Sequence, residues 1–300
     1  MSPSSVDVVE HPSDQHAALR DRIDAVLGAA ADHPWMPANL RESVRYALLG
    51  PGKRLRPVLV MHSCEAVGGD LALAEPAAAA VEMIHAFSLV HDDLPALDDD
   101  DLRRGRPTAH IRFGEALALL AGDGLMSVAF QTLAEGVDDD RLLAELIREL
   151  AGSTTAMIAG QVLDTLGGFP PSLSEDEQLR LVHRNKTGAL LRACCRMGAL
   201  CARGDDASVD AMSRYGEAIG LMFQIVDDLL DVEQSAEHIG KQVNKDAAAG
   251  KLTFPVVLGV EASRAEVERL RRAALSAIER FGERGAALVG ITEYLATRTR

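Results

Sequence analysis

Aromatic residues are scarce in this sequence: they make up 4% of its 300 residues, and few segments are rich in strand-forming residues. Alanine and leucine, which favour helices, run through the chain instead. Hydrophobic residues reach 47% of the composition, which is enough to bury a large core. These features predict an all-α fold.

Long apolar runs and paired cysteines are missing as well. No uninterrupted apolar run reaches the roughly 18 residues that a membrane-spanning helix needs, and the first residues lack the basic and apolar regions of a secretory signal. Cys64, Cys194, Cys195 and Cys201 include no C-x-x-C pair, which favours small buried thiols over disulfides or a metal site. We therefore expect no membrane span and a cytoplasmic location.

Positive charge is in the minority, with 31 lysines and arginines against 45 acidic residues and a net charge of −14. Such a balance disfavours nucleic acid or an anionic membrane surface as the general partner. A small anionic substrate remains compatible with it, because binding one needs only local positive charge.

No repeat, low-complexity linker or domain boundary divides the chain. Residues 1–15 are polar and are predicted to form a disordered tail. Residues 16–300 are predicted to form a single all-α domain of about ten or more helices. Pro76 is predicted to open one of these helices, and the strongly apolar stretch 114–135 predicts a central, buried one.

The clearest chemical signal is an aspartate cluster at residues 224–231. Gln224, Asp227, Asp228 and Asp231 lie at spacings of three and four, so they share one face of a helix. The rest of that helix is apolar, and acids within it are costly unless a positive group meets them. Hard cations take oxygen ligands, and Mg²⁺ binds through a few carboxylates plus substrate phosphate.

A second cluster, HDDLPALD at residues 91–98, breaks helical spacing. Asp92 and Asp98 are six residues apart and would not share one face of an ideal helix. Pro95 lacks an N–H and disfavours helical backbone at the preceding residue. The helix is therefore predicted to distort or end there, so that Asp98 turns back beside Asp92.

Each cluster also has a simpler interpretation. A single acidic run is ordinarily a solvated helix end, and residues 99–101 are interpreted in that way. Two clusters beside apolar helices favour a site, and so do the basic strings GKRLRP at 52–57 and RRGRP at 103–107. Lysine and arginine at such helix boundaries can clamp phosphate oxygens.

The strings GKRLRP, IHAFSLVHDDLPALDDDDLRRGRPT, KTGAL and MFQIVDDLLDV occur in this order. Together they resemble the polyprenyl (trans-isoprenyl diphosphate) synthase family from about residue 20 to the C-terminus. The two extra residues between Asp93 and Asp98 resemble its bacterial farnesyl/geranylgeranyl branch.

This resemblance implies the isoprenoid synthase fold, an all-α bundle around a deep central cavity, usually as a homodimer. It implies head-to-tail (1′-4) condensation of isopentenyl diphosphate with an allylic diphosphate. Three Mg²⁺ ions per active site are expected, with Mn²⁺ able to substitute.

The family's functional positions carry over one by one. Asp92 and Asp98 would bind two of the Mg²⁺ ions and Asp227 the third, with support from Asp93, Asp228 and Asp231. The isopentenyl diphosphate pocket is matched by Lys53, Arg56, His85 and Arg104. The allylic diphosphate clamp is matched by Arg103, Lys186, Lys251 and Lys241, and the surroundings of the carbocation by Thr187 and Gln224. One departure is Asn244, where glycine is expected in the lid.

The product length is predicted from Phe87 and Ser88, which lie five and four residues before Asp92. Both are more than one helical turn, about 5.4 Å, back from the metal. In the family an aromatic residue at the Phe87 position resembles the floor of a farnesyl-length cavity. We therefore expect a C15 product, with C20 as the alternative; Phe87 as ordinary core packing is the other interpretation.

Three other functions compete with this one. A terpene cyclase of similar fold would bind one diphosphate and would not need the pocket at Lys53, Arg56 and His85. A non-catalytic partner subunit would be expected to lack acids from one motif, whereas both motifs are intact. A purely structural bundle would need neither the basic pocket nor the aspartate motifs.

Overall fold

Helices provide nearly all the regular structure in residues 17–237 and 252–298, the part of the chain that this computed structural model describes. The predicted tail at 1–15 lies outside that part. The helices are α1 (Ala17–Ala31), α2 (Ala38–Leu48), α3 (Leu55–Val67), α4 (Leu71–Asp92), α5 (Ala109–Phe113), α6 (Glu115–Gly136), α7 (Asp140–Leu166), α8 (Glu175–His183), α9 (Ala189–Cys201), α10 (Asp206–Glu237), α11 (Phe254–Leu258), α12 (Val260–Ile278) and α13 (Ala286–Thr297). The prediction of an all-α fold is confirmed.

In the described part of the chain, three short elements interrupt the helices. A π-helical turn at Arg184–Gly188 joins α8 to α9, and a 3₁₀ segment at Glu279–Gly285 joins α12 to α13. An antiparallel hairpin of two short strands, β1 (Leu102–Arg103) and β2 (Arg106–Pro107), follows the first aspartate cluster.

Helix α4 lies at the centre of the fold and packs against α3, α6 and α9. Its segment Ala77–Ala80 is buried, and these small side chains allow the neighbouring helices to approach closely. Helix α10 packs against α9 on one side and α12 on the other. Because α4 and α10 each carry an aspartate cluster, this packing sets where the two clusters stand.

Two predicted helix features need correction. Helix α4 begins at Leu71 rather than Pro76, because the Asp70 side chain accepts a hydrogen bond from the Ala72 N–H (2.9 Å) and caps the helix earlier. Helix α6 has the predicted bounds, but it is not buried all round: Leu119 and Leu120 on its outer face are 46% and 53% exposed.

By length and composition alone, α4 and α6 are apolar enough to cross a bilayer. The most apolar window of α4 is 67% buried inside the protein, and that of α6 is 39% buried. A buried core helix passes the same test, so two such helices are weak evidence for a membrane span. The four cysteines are buried and unpaired, as predicted.

Candidate active site

The first aspartate cluster stands at the C-terminal end of α4. The helix ends at Asp92, three residues before Pro95, and the chain then turns so that the Asp98 N–H donates to the Asp92 carbonyl (2.8 Å). The predicted return of Asp98 to the side of Asp92 is therefore observed. Asp92 is half-buried, whereas Asp98 is exposed.

Asp93 faces a different way from Asp92 and holds an arginine. Its buried carboxylate accepts hydrogen bonds from Arg103 Nε at 2.7 and 2.9 Å. The β1–β2 hairpin brings Arg103 to this position, and Arg104 and Gly105 make its tight turn with φ values of 53° and 74°. Asp93 thus positions Arg103 beside the first cluster.

The second aspartate cluster lies on α10, as the spacing predicted. Asp227 Oδ1 accepts from Arg298 Nη2 (2.5 Å), and its Oδ2 lies 3.4 Å from Gln224 Nε2. Asp228 accepts from the backbone N–H of Phe254 (2.9 Å), so it fixes the start of α11. Asp231 is exposed at the outer end of the cluster.

Burial makes ionisation costly at both clusters. It raises the pKa of Asp92 to about 6; Lys186 opposes this shift and the Asp98 carboxylate adds to it. Burial also raises the pKa of Asp227 to about 6, with Arg298 opposing and Asp231 adding. Desolvated carboxylates of this kind gain from a nearby cation, which restores their ionised form.

Lys186 and Thr187 reach the site from the π-helical turn. Lys186 Nζ donates to Asp164 Oδ2 on α7 (2.6 Å), and Thr187 is buried. The turn can lie this close to α7 because Gly160 faces it: a β-carbon at Gly160 would overlap the backbone nitrogen of Lys186. Single π turns of this kind are frequent at functional sites.

The basic loop before α3 divides its side chains between two tasks. Arg54, in the left-handed region at φ 51°, donates to Asp24 (2.9 Å) and to buried Glu82 (3.0 Å), so it is structural. Lys53 is exposed, and its Nζ lies 3.2 Å from the hydroxyl of Tyr294 on α13.

Arg56, two residues after Arg54 in the same basic segment, is short of hydrogen-bond partners. Arg56 Nε is enclosed and has no hydrogen-bond partner among the described residues. Burial, together with the positive charge of Arg56 and Arg104, holds the pKa of His85 well below its usual range. His85 is therefore neutral, and an anion placed here would meet a guanidinium whose donor is unused.

Two cavities meet at His85. The larger, about 300 Å³, runs beneath Asp92 between α4 and α7 and is lined by Arg56, Phe87, Ser88, Met157, Lys186 and Thr187. The smaller, about 80 Å³, carries the charged side chains Arg54, Glu82, Asp93, Arg103, Arg104 and Arg106 in a lining that is otherwise largely apolar. His85 and Leu89 line both. The large cavity suits an apolar chain, and the small one suits an anion.

Phe87 and Ser88 both line the larger cavity, as predicted. Phe87 is 6% exposed and packs edge-on against His91, with ring centroids 5.0 Å apart. Ser88 Oγ instead donates to the His85 carbonyl (2.9 Å), which turns it towards its own helix. Phe87 is therefore the bulky side chain one turn below Asp92.

The two cavities bring together part of the predicted site: Arg56, His85, Phe87, Ser88, Asp92, Asp93, Arg103, Arg104, Lys186 and Thr187. Asp98, Gln224 and the second aspartate cluster line neither cavity. Arg104 Nη1 donates to the Pro51 carbonyl (2.5 Å), and Lys53 lines neither cavity. Within the described residues no group of three or more histidine, cysteine or acidic side chains is placed around one metal position. Lys241, Lys251 and Asn244 lie outside the described residues.

Several neighbours of the site were not predicted from the sequence. They are Glu82, Asp164, His183 and Arg298. Asp164 offered a signal, since it is an acid in the apolar run MIAGQVLDTL. His183 Nδ1 lies 3.2 Å from Gln224 Oε1, and its ring stacks on Phe254. The contact of Arg298 with Asp227 spans 71 positions of sequence and has no local signal.

Comparisons with known proteins agree with this geometry. The profile of the family described as polyprenyl synthetase matches residues 37–290. Geranylgeranyl pyrophosphate synthase 11, chloroplastic, of Arabidopsis thaliana is 45% identical over 269 residues, which cover 87% of this chain and 75% of that protein.

Solved structures are similar over nearly the whole chain. An FPP/GFPP synthase from Zymomonas mobilis superposes with a TM-score of 0.83 at 33% identity, covering 95% of this chain and 99% of that one. A geranyltransferase from Legionella pneumophila gives a TM-score of 0.83 at 31% identity, with coverage of 96% and 99%. The chain belongs to the polyprenyl synthetase family and is a prenyltransferase that makes trans-prenyl diphosphates.

Proposed function

We propose that this enzyme condenses isopentenyl diphosphate with allylic diphosphates and stops at the C15 product, farnesyl diphosphate. The observation that carries the proposal is the 300 Å³ cavity beneath Asp92, with Phe87 in its wall one turn below, beside a separate basic pocket. Two diphosphates need two anion sites, and a growing apolar tail needs one closed apolar channel. A terpene cyclase would need only the first of these anion sites.

The acidic residues fit a set of divalent cations. Asp92, Asp98 and Asp227 would hold three Mg²⁺ ions, or Mn²⁺ in their place, with Asp93, Asp228 and Asp231 in support. The fit rests on two desolvated carboxylates and on the turn that sets Asp98 beside Asp92. Because Mg²⁺ sites are commonly completed by substrate phosphate, three protein ligands around one position are not required. When bound, these ions neutralise negative charge on the leaving diphosphate.

The chain's own residues supply the rest of the reaction. Lys186 and Arg103 meet the charge that develops on the allylic diphosphate, and the predicted Lys241 and Lys251 would join them. Thr187, which lines the larger cavity, would present its oxygen dipole to the allylic cation, and Gln224 would do so once its Oε1 leaves His183 Nδ1. The apolar cavity wall excludes water, which would otherwise quench that cation to an alcohol.

The second substrate would bind where the two cavities meet at His85. Arg56 from the larger cavity, with its unused Nε, and Arg104 from the smaller one would clamp the diphosphate of isopentenyl diphosphate beside neutral His85. Lys53, which lines neither cavity, would join them on substrate binding. The alkene of this substrate would then face the allylic cation across the junction of the two cavities at His85, which fixes the distance of attack. The proton lost from the product would go to the departing diphosphate.

A C20 product is the second candidate, because the Arabidopsis relative is named a geranylgeranyl pyrophosphate synthase. Incubation with Mg²⁺, isopentenyl diphosphate and dimethylallyl diphosphate tests both. We expect consumption of both substrates and a C15 prenol as the main dephosphorylated product on chromatography. Consumption of the allylic diphosphate alone would contradict synthase activity, and a C20 main product would overturn the length.

We also propose a homodimer. Exposed apolar side chains on α6 support it: Leu119 and Leu120 are 46% and 53% exposed. Such patches mark interaction surfaces in soluble proteins. A cytoplasmic location is proposed as well, supported by the four buried, unpaired cysteines. The net charge of −14 supports the absence of a nucleic-acid partner.

A further inference from the structure

Helix α13 and the residue after it contact the basic loop and the second aspartate cluster with two side chains four residues apart. Tyr294 meets Lys53 of the basic loop, with the Lys53 Nζ also 5.8 Å from the centre of the tyrosine ring. Arg298 follows four residues later, where the backbone leaves the helix at φ −60° and ψ 144°. The side chain of Arg298 turns back onto α10.

Arg298 is docked rather than loosely placed. Its Nη2 donates to Asp227 Oδ1 (2.5 Å) and to the Phe223 carbonyl (2.9 Å), and its guanidinium carbon lies 4.0 Å from the centre of the Phe223 ring. The side chain is only 8% exposed. Hydrogen bonds to a carboxylate and stacking on an aromatic ring are the two interactions in which the planar guanidinium excels.

This position conflicts with a metal at Asp227. Oδ1 of that carboxylate is occupied by the guanidinium, and Oδ2 faces Gln224 Nε2. A divalent cation on Oδ1 would take the place of the guanidinium. A cation on Oδ2 would stand beside it, and two positive charges in a partly buried site repel strongly.

The docking is also incomplete, which favours exchange. Arg298 Nε is enclosed and has no hydrogen-bond partner among residues 17–237 and 252–298. An unsatisfied buried donor on a charged group is costly. The docked state is therefore specific in geometry but leaves one donor unused, which an anion outside this position could satisfy.

We propose that Arg298 is a built-in, exchangeable counter-cation for the second aspartate cluster. It holds the Asp227 carboxylate oriented until a divalent cation replaces it, and it thereby sets the cation concentration at which Asp227 is loaded. Once displaced, its guanidinium is free to contact the diphosphate that accompanies the cation. The inference rests on the proposed role of Asp227 as a cation ligand.

Mn²⁺ titration of the substrate-free protein, followed by electron paramagnetic resonance of unbound Mn²⁺, tests this directly. Arg298→Met should lower the half-saturating Mn²⁺ concentration about tenfold, or about 1.4 kcal/mol. The same variant should melt at a lower temperature than the wild type without Mn²⁺, and the difference should shrink at saturating Mn²⁺. A purely structural role would lower the melting temperature under both conditions and leave the Mn²⁺ affinity unchanged.

Two further variants keep the test decisive. Arg272→Met on α12 removes a 69% exposed arginine whose polar partners among the described residues are the Glu268 carboxylate and carbonyl, and it should change neither readout. Phe223→Leu removes the stacking ring and should tighten Mn²⁺ binding less than Arg298→Met does, so it replaces that variant if the protein misfolds. Unchanged or weaker Mn²⁺ binding in both site variants would overturn the proposal.

Asp227→Ala separates this proposal from the proposed function. If it removes one Mn²⁺ site while Arg298→Met binds like the wild type, only the counter-cation role fails. If it leaves the Mn²⁺ titration unchanged, Asp227 is not a ligand and the metal assignment itself fails.

Discussion

At the scale of single residues, Asp92 and Asp227 differ from the exposed acids of the two clusters. Desolvation raises the pKa of each to about 6, whereas Asp98, Asp99 and Asp231 are exposed. A buried carboxylate is costly to maintain unless a cation meets it. The two positions therefore dominate the predicted metal chemistry.

Asp92→Asn or Asp227→Asn should each lower kcat at least about a hundredfold, a loss of roughly 2.7 kcal/mol of transition-state stabilisation. Initial rates at saturating Mg²⁺ and both substrates measure it. Asp99→Asn is the matched control, because Asp99 is exposed at φ 51°, where asparagine is well tolerated. Near-normal turnover in Asp227→Asn would contradict the assignment.

The raised pKa values give a pH dependence with a definite sign. From the usual aspartate value of 3.8 up to about 6, the folded protein binds more protons at Asp92 and Asp227 than the unfolded chain does. Their contribution to the free energy of unfolding therefore falls as pH rises through that window.

Thermal melts of the metal-free protein at both ends of the window measure this effect. Asp227→Asn should cost less stability above pH 6 than near pH 4, because the wild type carries a desolvated charge only at the higher pH. A difference between variant and wild type that stays constant over the window would show that Asp227 titrates normally.

Phe87 provides the residue-scale test of product length. Phe87→Ala should open the cavity wall below Asp92 and shift the product from C15 towards C20, at a stability cost of about 3 kcal/mol. Phe281→Ala is the control, since Phe281 is equally buried at 7% exposed but lies in the 3₁₀ segment far along the chain. Chromatography of the dephosphorylated products measures the chain-length distribution. An unchanged distribution in Phe87→Ala would show that Phe87 is an ordinary core residue and does not limit product length.

At the scale of elements, the contact between α7 and the π-helical turn positions Lys186. Gly160→Ala should push the turn away from α7, because the new methyl group would overlap the backbone of Lys186. Its carbon would lie only 2.7 Å from the Lys186 Cα. We expect a lower melting temperature and a lower kcat together. Gly152→Ala, on the same helix with open space around it, should instead stabilise the protein by about 0.5–1 kcal/mol.

Those two alanine variants differ by position alone, so helix propensity cannot account for opposite results. Calorimetry of both, with the rate of product formation, makes the comparison. Equal stability changes in the two variants would mean that the contact at Gly160 does not constrain the turn.

At the scale of the whole molecule, the sequence determines local geometry better than long-range partners. The one-face spacing on α10 and the turn caused by Pro95 were predictable because they depend on residues within one or two turns. The pairing of Lys186 with Asp164 and of Asp227 with Arg298 depends on how helices pack, which no local spacing encodes. The prediction that Pro76 opens α4 was wrong for a local reason, because the Asp70 side chain caps the helix before the chain reaches the proline.

The exposed apolar side chains of α6 give a test at this scale. Leu120→Glu should place a charge in the proposed interface and raise the dimer dissociation constant by at least about a hundredfold, because an unpaired charge cannot be buried there. Val256→Glu is the control, since Val256 is 70% exposed but lies on α11. Sedimentation velocity over a micromolar concentration range measures both, and a Leu120→Glu dimer as tight as the wild type would contradict this interface.

The π-helical turn positions Lys186, whereas the packing of the helices on either side does not depend on it. A π turn amounts to one residue inserted into an α-helix. Deleting Asn185 would let Glu175–Cys201 run as one regular helix, with the core contacts of α9 retained. The same deletion would rotate Lys186 about 100° around the helix relative to Asp164, since each α-helical residue turns by that angle. We therefore expect the Asn185 deletion to leave the helical bundle folded and to lower the rate of product formation.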